Sequence, residues 1–156
     1  MLTTKELLST QFTATYNEEN WFKPLTDVIK DLSEEEFKWK ATEEEHSIRQ
    51  LVIHLNFWNE RYLARFKGTP MPPVHMEERD ITFDDNDLSK EELIKKFYDM
   101  MSDFKKALDD APEEKFEESV AADRTDLWWE VIHNINLHNA YHLGQIMLVK
   151  KKLRAN

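Results

Sequence analysis

The chain has 156 residues and a formal charge of −10, with 31 acidic against 21 basic side chains. This length predicts a single domain over residues 1–156 with one buried core. The charge argues against a nucleic-acid partner, because a phosphate backbone is bound by basic surfaces.

The residue types narrow the class further. The absence of cysteine excludes disulfides, thiolate metal ligands and a protein thiol nucleophile. Only 2 glycines and 5 prolines, among many Glu, Lys, Leu and Met, favour an all-α protein. No apolar run reaches the ~20 residues of a membrane span, and the N-terminus lacks the apolar core of a signal peptide. We therefore expect a soluble, cytoplasmic protein with no membrane partner.

Apolar spacing predicts the first helix over Thr3–Leu32. Pro24 has no backbone N–H to donate, so a kink or break is expected near residues 17–23. An acidic connector over residues 33–46 follows. Two of its aromatic residues are expected to pack back on the helices: Phe37 and Trp39.

The second helix is predicted to begin at Ser47 and to stop at Gly68. Ser47 and Gln50 form the S-x-x-Q pattern of a capping box in front of an apolar run. The next segment, residues 69–87, is rich in proline and then in acidic residues. It is too long for a simple helix connection, so we expect it to be functional or to lie across a face of the helices.

The third helix is predicted from Ser89, capped by S-x-x-E, to about Leu108. Residues 109–120 are expected to form a loop. The fourth helix begins near Thr125 or Asp126 and runs to about Leu153. Four long helices predict an all-α four-helix bundle, with a long connection between helices 2 and 3.

Three histidines are candidate metal ligands. His138 and His142 lie four residues apart in a predicted helix, so both imidazoles project from nearly one face. His54 lies among apolar residues in the middle of the second helix. Chance spacing is the alternative for the pair, and a core histidine bonded to a side chain or water is the alternative for His54. Together, the three could converge across a bundle and leave coordination positions open, which is typical of a catalytic site.

Two segments resemble the DinB/YfiT-like superfamily of four-helix bundles. SIRQLVIHLNFWNERYL resembles that family's S-x-x-[EQ]-L-x-x-H-L signature, and LHNAYHLGQIMLVKK resembles its H-x-x-[HY]-H-x-G-Q signature. The resemblance implies a divalent metal ion held by His54, His138 and His142. It also implies a substrate class: some relatives are metal-dependent transferases or isomerases that use a low-molecular-weight thiol such as bacillithiol or mycothiol, and others are regarded as hydrolases.

Residues near the triad on the same two helices are candidates for supporting roles. Gln145 could hydrogen-bond a ligand imidazole, or instead cap backbone in the core. Asn134 and Trp58 each lie one turn from a ligand and could line a pocket. Tyr141 could do so too, although a core aromatic is the preferred interpretation. Gly144 inside a helix predicts close approach of another helix.

The remaining histidines are expected not to be ligands: His46, His75 and His133. The sequence has no HExxH motif, so the glutamate base of a zincin is absent. It has no ferritin-like ExxH pair at the fourth-helix site of His138 and His142, so one metal ion is expected rather than a di-iron centre. Zn and Ni are the preferred ions, with Mn and Fe as further candidates. We predict a mononuclear metal enzyme acting on a small-molecule substrate, as a thiol S-transferase or a hydrolase. The alternative is a non-catalytic metal-binding or structural bundle. A homodimer is expected from the aromatic content and the resemblance.

Overall fold

The computed structural model describes residues 2–69, 71–75, 81–84 and 86–155. Within these ranges the chain is helical and has no strand, so the predicted all-α class is confirmed. The α-helices are α1 Thr4–Tyr16, α2 Leu25–Ile29, α3 Glu34–Lys38, α4 Ile48–Phe66, α5 Lys90–Asp110 and α6 Trp128–Ala155. A 3-10 helix spans Glu113–Glu117.

Capping boxes set where several helices begin. At α4 the Ser47 hydroxyl accepts a hydrogen bond from the Gln50 backbone N–H at 3.2 Å, and the Gln50 side chain accepts one from the Ser47 N–H at 3.1 Å. Ser89 and Glu92 form the same arrangement at α5. Both predicted starts are confirmed, because the box satisfies backbone donors that a helix end leaves without partners.

The break expected in the first predicted helix is confirmed. Helix α1 ends at Tyr16 and α2 begins only at Leu25, with Pro24 as the extended N-cap residue. The Thr26 hydroxyl donates to the Tyr16 carbonyl at 2.7 Å and so ties α2 to the end of α1. The result is two helices rather than one kinked helix.

The four long helices pack in pairs around one core. Helix α1 packs on α5 and α6, and α4 packs on the same two helices. Phe12 and Phe104 meet edge to face at a centroid distance of 5.0 Å. The connector packs back as predicted, since Phe37 is buried and Trp39 is partly buried against the core. Residues 109–120 are more ordered than a simple loop, because their 3-10 helix places Phe116 in the core.

An amide pair joins α4 to α6 beside the histidines that are predicted to bind a metal ion. Asn59 Nδ2 donates to Asn139 Oδ1 at 2.9 Å, and Asn139 Nδ2 donates to Asn59 Oδ1 at 3.1 Å. Both residues are buried, so each amide replaces hydrogen bonds to water that it loses. The pair fixes the register of α4 against α6 next to His138.

Two expectations about α6 are wrong. A Cβ atom built on Gly144 would meet nothing within 4 Å, so no other helix approaches it closely. Tyr141 is 63% exposed rather than a core aromatic. Neither a glycine inside a helix nor an aromatic side chain shows which face of that helix is covered, and both of these positions on α6 are exposed. None of the described helices is long and apolar enough to cross a membrane.

Candidate metal centre

The three histidines converge at the interface of α4 and α6. His54 lies in the middle of α4, and His138 and His142 occupy successive turns of α6. The His138 Nε2 atom lies 3.2 Å from His54 Nε2 and 3.1 Å from His142 Nε2. One ring nitrogen from each histidine falls within 4.8 Å of the other two.

These separations fit a shared metal ion. Imidazole nitrogens bind Zn²⁺ at about 2.0–2.1 Å, so two of them on one ion lie about 3 Å apart. The Nε2 atom of His138 has about that spacing to the Nε2 atoms of both His54 and His142. Without an ion, His138 Nε2 could donate a hydrogen bond to only one of its two neighbours.

Hydrogen bonds to Nδ1 orient two of the rings. The Gln145 side-chain oxygen accepts from His142 Nδ1 at 2.7 Å. The Thr82 hydroxyl oxygen lies 2.7 Å from His54 Nδ1 and can accept a hydrogen bond from it. A proton on Nδ1 leaves the lone pair on Nε2, and both Nε2 atoms face His138. Gln145 also donates from Nε2 to the Tyr141 hydroxyl at 3.1 Å, which fixes the orientation of the amide.

The protein environment keeps the three imidazoles neutral. Burial, followed by the neighbouring His142, His138 and His46, lowers the pKa of His54 to about 3. Burial, followed by His142, lowers the pKa of His138 to about 4. The pKa of His142 is also lowered by burial, although the hydrogen bond that its Nδ1 donates to Gln145 opposes this shift. Neutral imidazole is the form that binds a metal ion.

An aromatic stack covers one side of the site. The Phe83 ring lies 4.0 Å from the His54 ring at an interplanar angle of 8° and 4.0 Å from the His46 ring at 5°. Phe83 therefore stacks on both the His46 and the His54 rings. His46 was expected to be solvated, and it is exposed. It also stacks on Phe83 and helps to lower the pKa of His54.

A cavity of about 460 Å³ opens beside His54 and His138. It is lined by both histidines together with Trp58, Tyr62, Phe83, Asn134 and Ile135. The Trp58 ring lies edge to face with the His54 ring, at a centroid distance of 6.3 Å. This cavity offers a small molecule access to two of the three histidines, His54 and His138.

The structure places the predicted supporting residues in three different positions. Trp58 and Asn134 line the cavity. Gln145 bonds a ligand ring. Tyr141 packs edge to face on the solvent side of His142, with the two ring centroids 5.0 Å apart. His133 and His75 are not part of the cluster, in keeping with expectation.

Sequence reasoning did not identify Thr82, Phe83 and Tyr62. Thr82 and Phe83 belong to the segment over residues 69–87, whose length alone suggested a functional role. Nothing in the local pattern shows which of its residues meets His54, since 28 positions separate Thr82 from that histidine. Residues 70, 76–80 and 85 of this segment lie outside the described residues.

Comparison with protein families shows which family the chain belongs to. The family model of the DinB superfamily matches residues 18–146, which include all three histidines and Gln145. The chain belongs to the DinB superfamily. No curated protein and no solved structure matches it. The match covers all of α4 and the part of α6 that carries His138 and His142.

Proposed function

We propose that this DinB superfamily protein is a mononuclear metal-dependent enzyme, with α1, α4, α5 and α6 forming the four-helix bundle of the family. The observation that carries the proposal is a set of three neutral imidazoles beside a cavity, in which His138 Nε2 lies 3.1–3.2 Å from the Nε2 atoms of the other two. Three protein ligands leave at least one coordination position for another molecule, as in catalytic metal sites.

His54, His138 and His142 would hold the ion. When bound, a divalent ion lowers the pKa of a coordinated water or thiol and so supplies a nucleophile near neutral pH. Thr82 and Gln145 keep two imidazoles in the tautomer and orientation that binding requires. Phe83, Trp58 and Tyr62 give the cavity an aromatic lining that excludes water and packs on an apolar part of the substrate.

Two reaction classes fit this site. The superfamily resemblance supports an S-transferase that takes a low-molecular-weight thiol, and an absence of cysteine is consistent with an external thiol. A hydrolase would use the same open position for water. Nitrogen-only protein ligands suit Zn²⁺ and Ni²⁺ first, with Mn²⁺ and Fe²⁺ as further candidates. The homodimer and the cytoplasmic location stay predictions of the sequence.

One observation favours a second candidate, a non-catalytic metal-binding protein. Among the described residues that line the cavity there is no carboxylate and no lysine. Among these described lining residues, Tyr62 is the only side chain besides the histidines that could act as a general acid or base.

The first experiment measures bound metal by elemental analysis of the protein as isolated and after reloading with Zn²⁺ or Ni²⁺. His54→Ala and His142→Ala are each expected to lose stoichiometric metal. His133→Ala is the matched control, because His133 lies on α6 outside the cluster and should leave the metal content unchanged. Stoichiometric metal in both cluster variants would refute the site.

The second experiment distinguishes an enzyme from a binder. The metal-loaded protein is assayed with low-molecular-weight thiols against a panel of electrophiles, and with ester and amide substrates. Turnover that disappears in His54→Ala but not in His133→Ala supports the enzyme. Metal-induced thermal stabilisation without any turnover supports the binder.

A further inference from the structure

A second cavity lies next to the first and carries positive charge. Its volume is about 450 Å³, and it shares Trp58 and Tyr62 with the cavity beside the triad. Its other lining residues are Arg61, Arg65, Met71, Pro72, Pro73, Val74 and Arg124. The two cavities thus share two aromatic lining residues, whose ring centroids lie 6.3 Å apart.

Two of the arginines share a helix face with a ligand histidine. Arg61 follows His54 by seven residues and Arg65 follows it by eleven, so both project within about 20° of the direction of His54. At 1.5 Å per residue, they lie about 10 Å and about 16 Å further along the α4 axis. A molecule extended along α4 could therefore reach both the triad and the arginines.

Arg61 and Arg65 contact aromatic rings and form no ion pair with a described carboxylate. The Arg61 guanidinium lies 5.3 Å from the Phe57 ring centroid, and that of Arg65 lies 5.9 Å from the Tyr62 centroid. Neither forms an ion pair with any described residue, although acidic residues outnumber basic ones by 31 to 21 in the chain. Arg124 does pair with Asp126, at 2.9 Å from its Nη2 atom. Guanidinium groups that stack on aromatic rings keep their N–H donors directed outward for an anion.

We propose that Arg61 and Arg65, with Arg124 at the edge, bind an anionic oxygen group of the substrate, a carboxylate or a phosphate, while the reacting end of that molecule occupies the cavity of the triad. This inference rests on the proposed function for the reacting end but not for the anion-binding end. The geometry suits a ligand with an anionic group at one end, an apolar middle against Trp58 and Tyr62, and a metal-binding atom at the other end.

The test compares two thiols that differ only in the distal group, 6-mercaptohexanoate and 6-mercaptohexan-1-ol. Binding to the Co²⁺-loaded protein is followed by the absorption of the metal–thiolate bond. The wild-type protein is expected to bind the carboxylate about tenfold more tightly than the alcohol, as a charge-assisted hydrogen bond implies. The double variant Arg61→Gln/Arg65→Gln should lose this preference and keep its affinity for the alcohol.

A charge-matched control separates a specific site from a general effect of net charge. Lys106→Gln/Lys151→Gln removes two positive charges from exposed positions on α5 and α6. It should keep the tenfold preference. Equal affinity of the wild-type protein for the two thiols, or an equal loss of preference in this control, would overturn the proposal.

A measurement without metal keeps the two proposals distinguishable. In the EDTA-treated protein, the arginine Nε–H signals are followed by NMR during titration with hexanoate or hexan-1-ol, and are assigned with the single Gln variants. The signals of Arg61 and Arg65 should move with hexanoate only. If neither thiol binds the Co²⁺ protein but these signals respond, the metal proposal fails and the anion site stands. If the signals do not respond to hexanoate, the anion site is refuted.

Discussion

Acidification of the metal-free protein from about pH 7.5 to about pH 5 is expected to lower its free energy of unfolding, with His138 contributing. The His138 pKa is 6.5 in an unfolded chain and about 4 in the folded protein, where burial and then His142 lower it. Between these two values the unfolded state binds more protons than the folded state. Stability therefore rises with pH across this window, and it is lost as pH falls from 6.5 towards 4.

The expected size of the effect follows from these values. A pH of about 5 lies roughly 1.5 units below the pKa of His138 in the unfolded chain and above its pKa in the folded protein. At about 1.36 kcal/mol per unit, this interval corresponds to a stability loss of about 2 kcal/mol. The His138 ring is only half-buried, so solvent screening reduces the expected contribution to about 1 kcal/mol. His54 acts in the same direction, because burial also lowers its pKa.

The assay is urea unfolding with EDTA at both pH values, for the wild-type protein and for His138→Gln. Glutamine does not titrate, so the variant should lose about 1 kcal/mol less on acidification than the wild-type protein does. The difference between the two proteins cancels the titration of the many surface carboxylates. Equal losses in the two proteins would refute the interpretation that His138 is held neutral by its environment.

Three further outcomes are expected. Gln145→Leu removes the acceptor that orients His142 and should weaken Zn²⁺ binding about 10–100-fold in a chelator competition, while the helical circular dichroism is unchanged. Gly144→Ala should stabilise the protein by about 1 kcal/mol in urea unfolding, since the new methyl group meets open space; destabilisation would instead reveal a partner on this face. Ser47→Ala should cost about 1 kcal/mol, measured in the same way, because it removes the hydroxyl that caps α4; an unchanged midpoint would show that the cap contributes nothing.

Local patterns in the sequence predicted the helix boundaries that depend on neighbouring residues. The capping boxes at Ser47 and Ser89 act over three positions, and the break before Pro24 follows from a missing N–H on that residue itself. The spacing of His138 and His142 works in the same way, since a single helix brings residues four apart onto one face. Such features need no knowledge of how the helices pack.

Other features of the structure depend on which face of each helix packs on a neighbouring helix. The periodicity of α6 could not show that Gly144 and Tyr141 point to solvent, because an apolar pattern does not state what covers each face. Phe116 lies in a segment that resembles a loop, and only its position against the long helices makes it part of the core.

The sequence by itself determined an all-α chain with two histidines on one helix face and a third candidate on another helix. Only the tertiary structure decided that His54 Nε2 lies 3.2 Å from His138 Nε2, across 84 positions of the chain. It also brought Thr82 and Phe83 onto His54, and it placed Arg61 and Arg65 in a cavity beside the same site. Helix formation depends on contacts three or four residues apart, whereas a binding site depends on packing between distant segments, which no local pattern encodes.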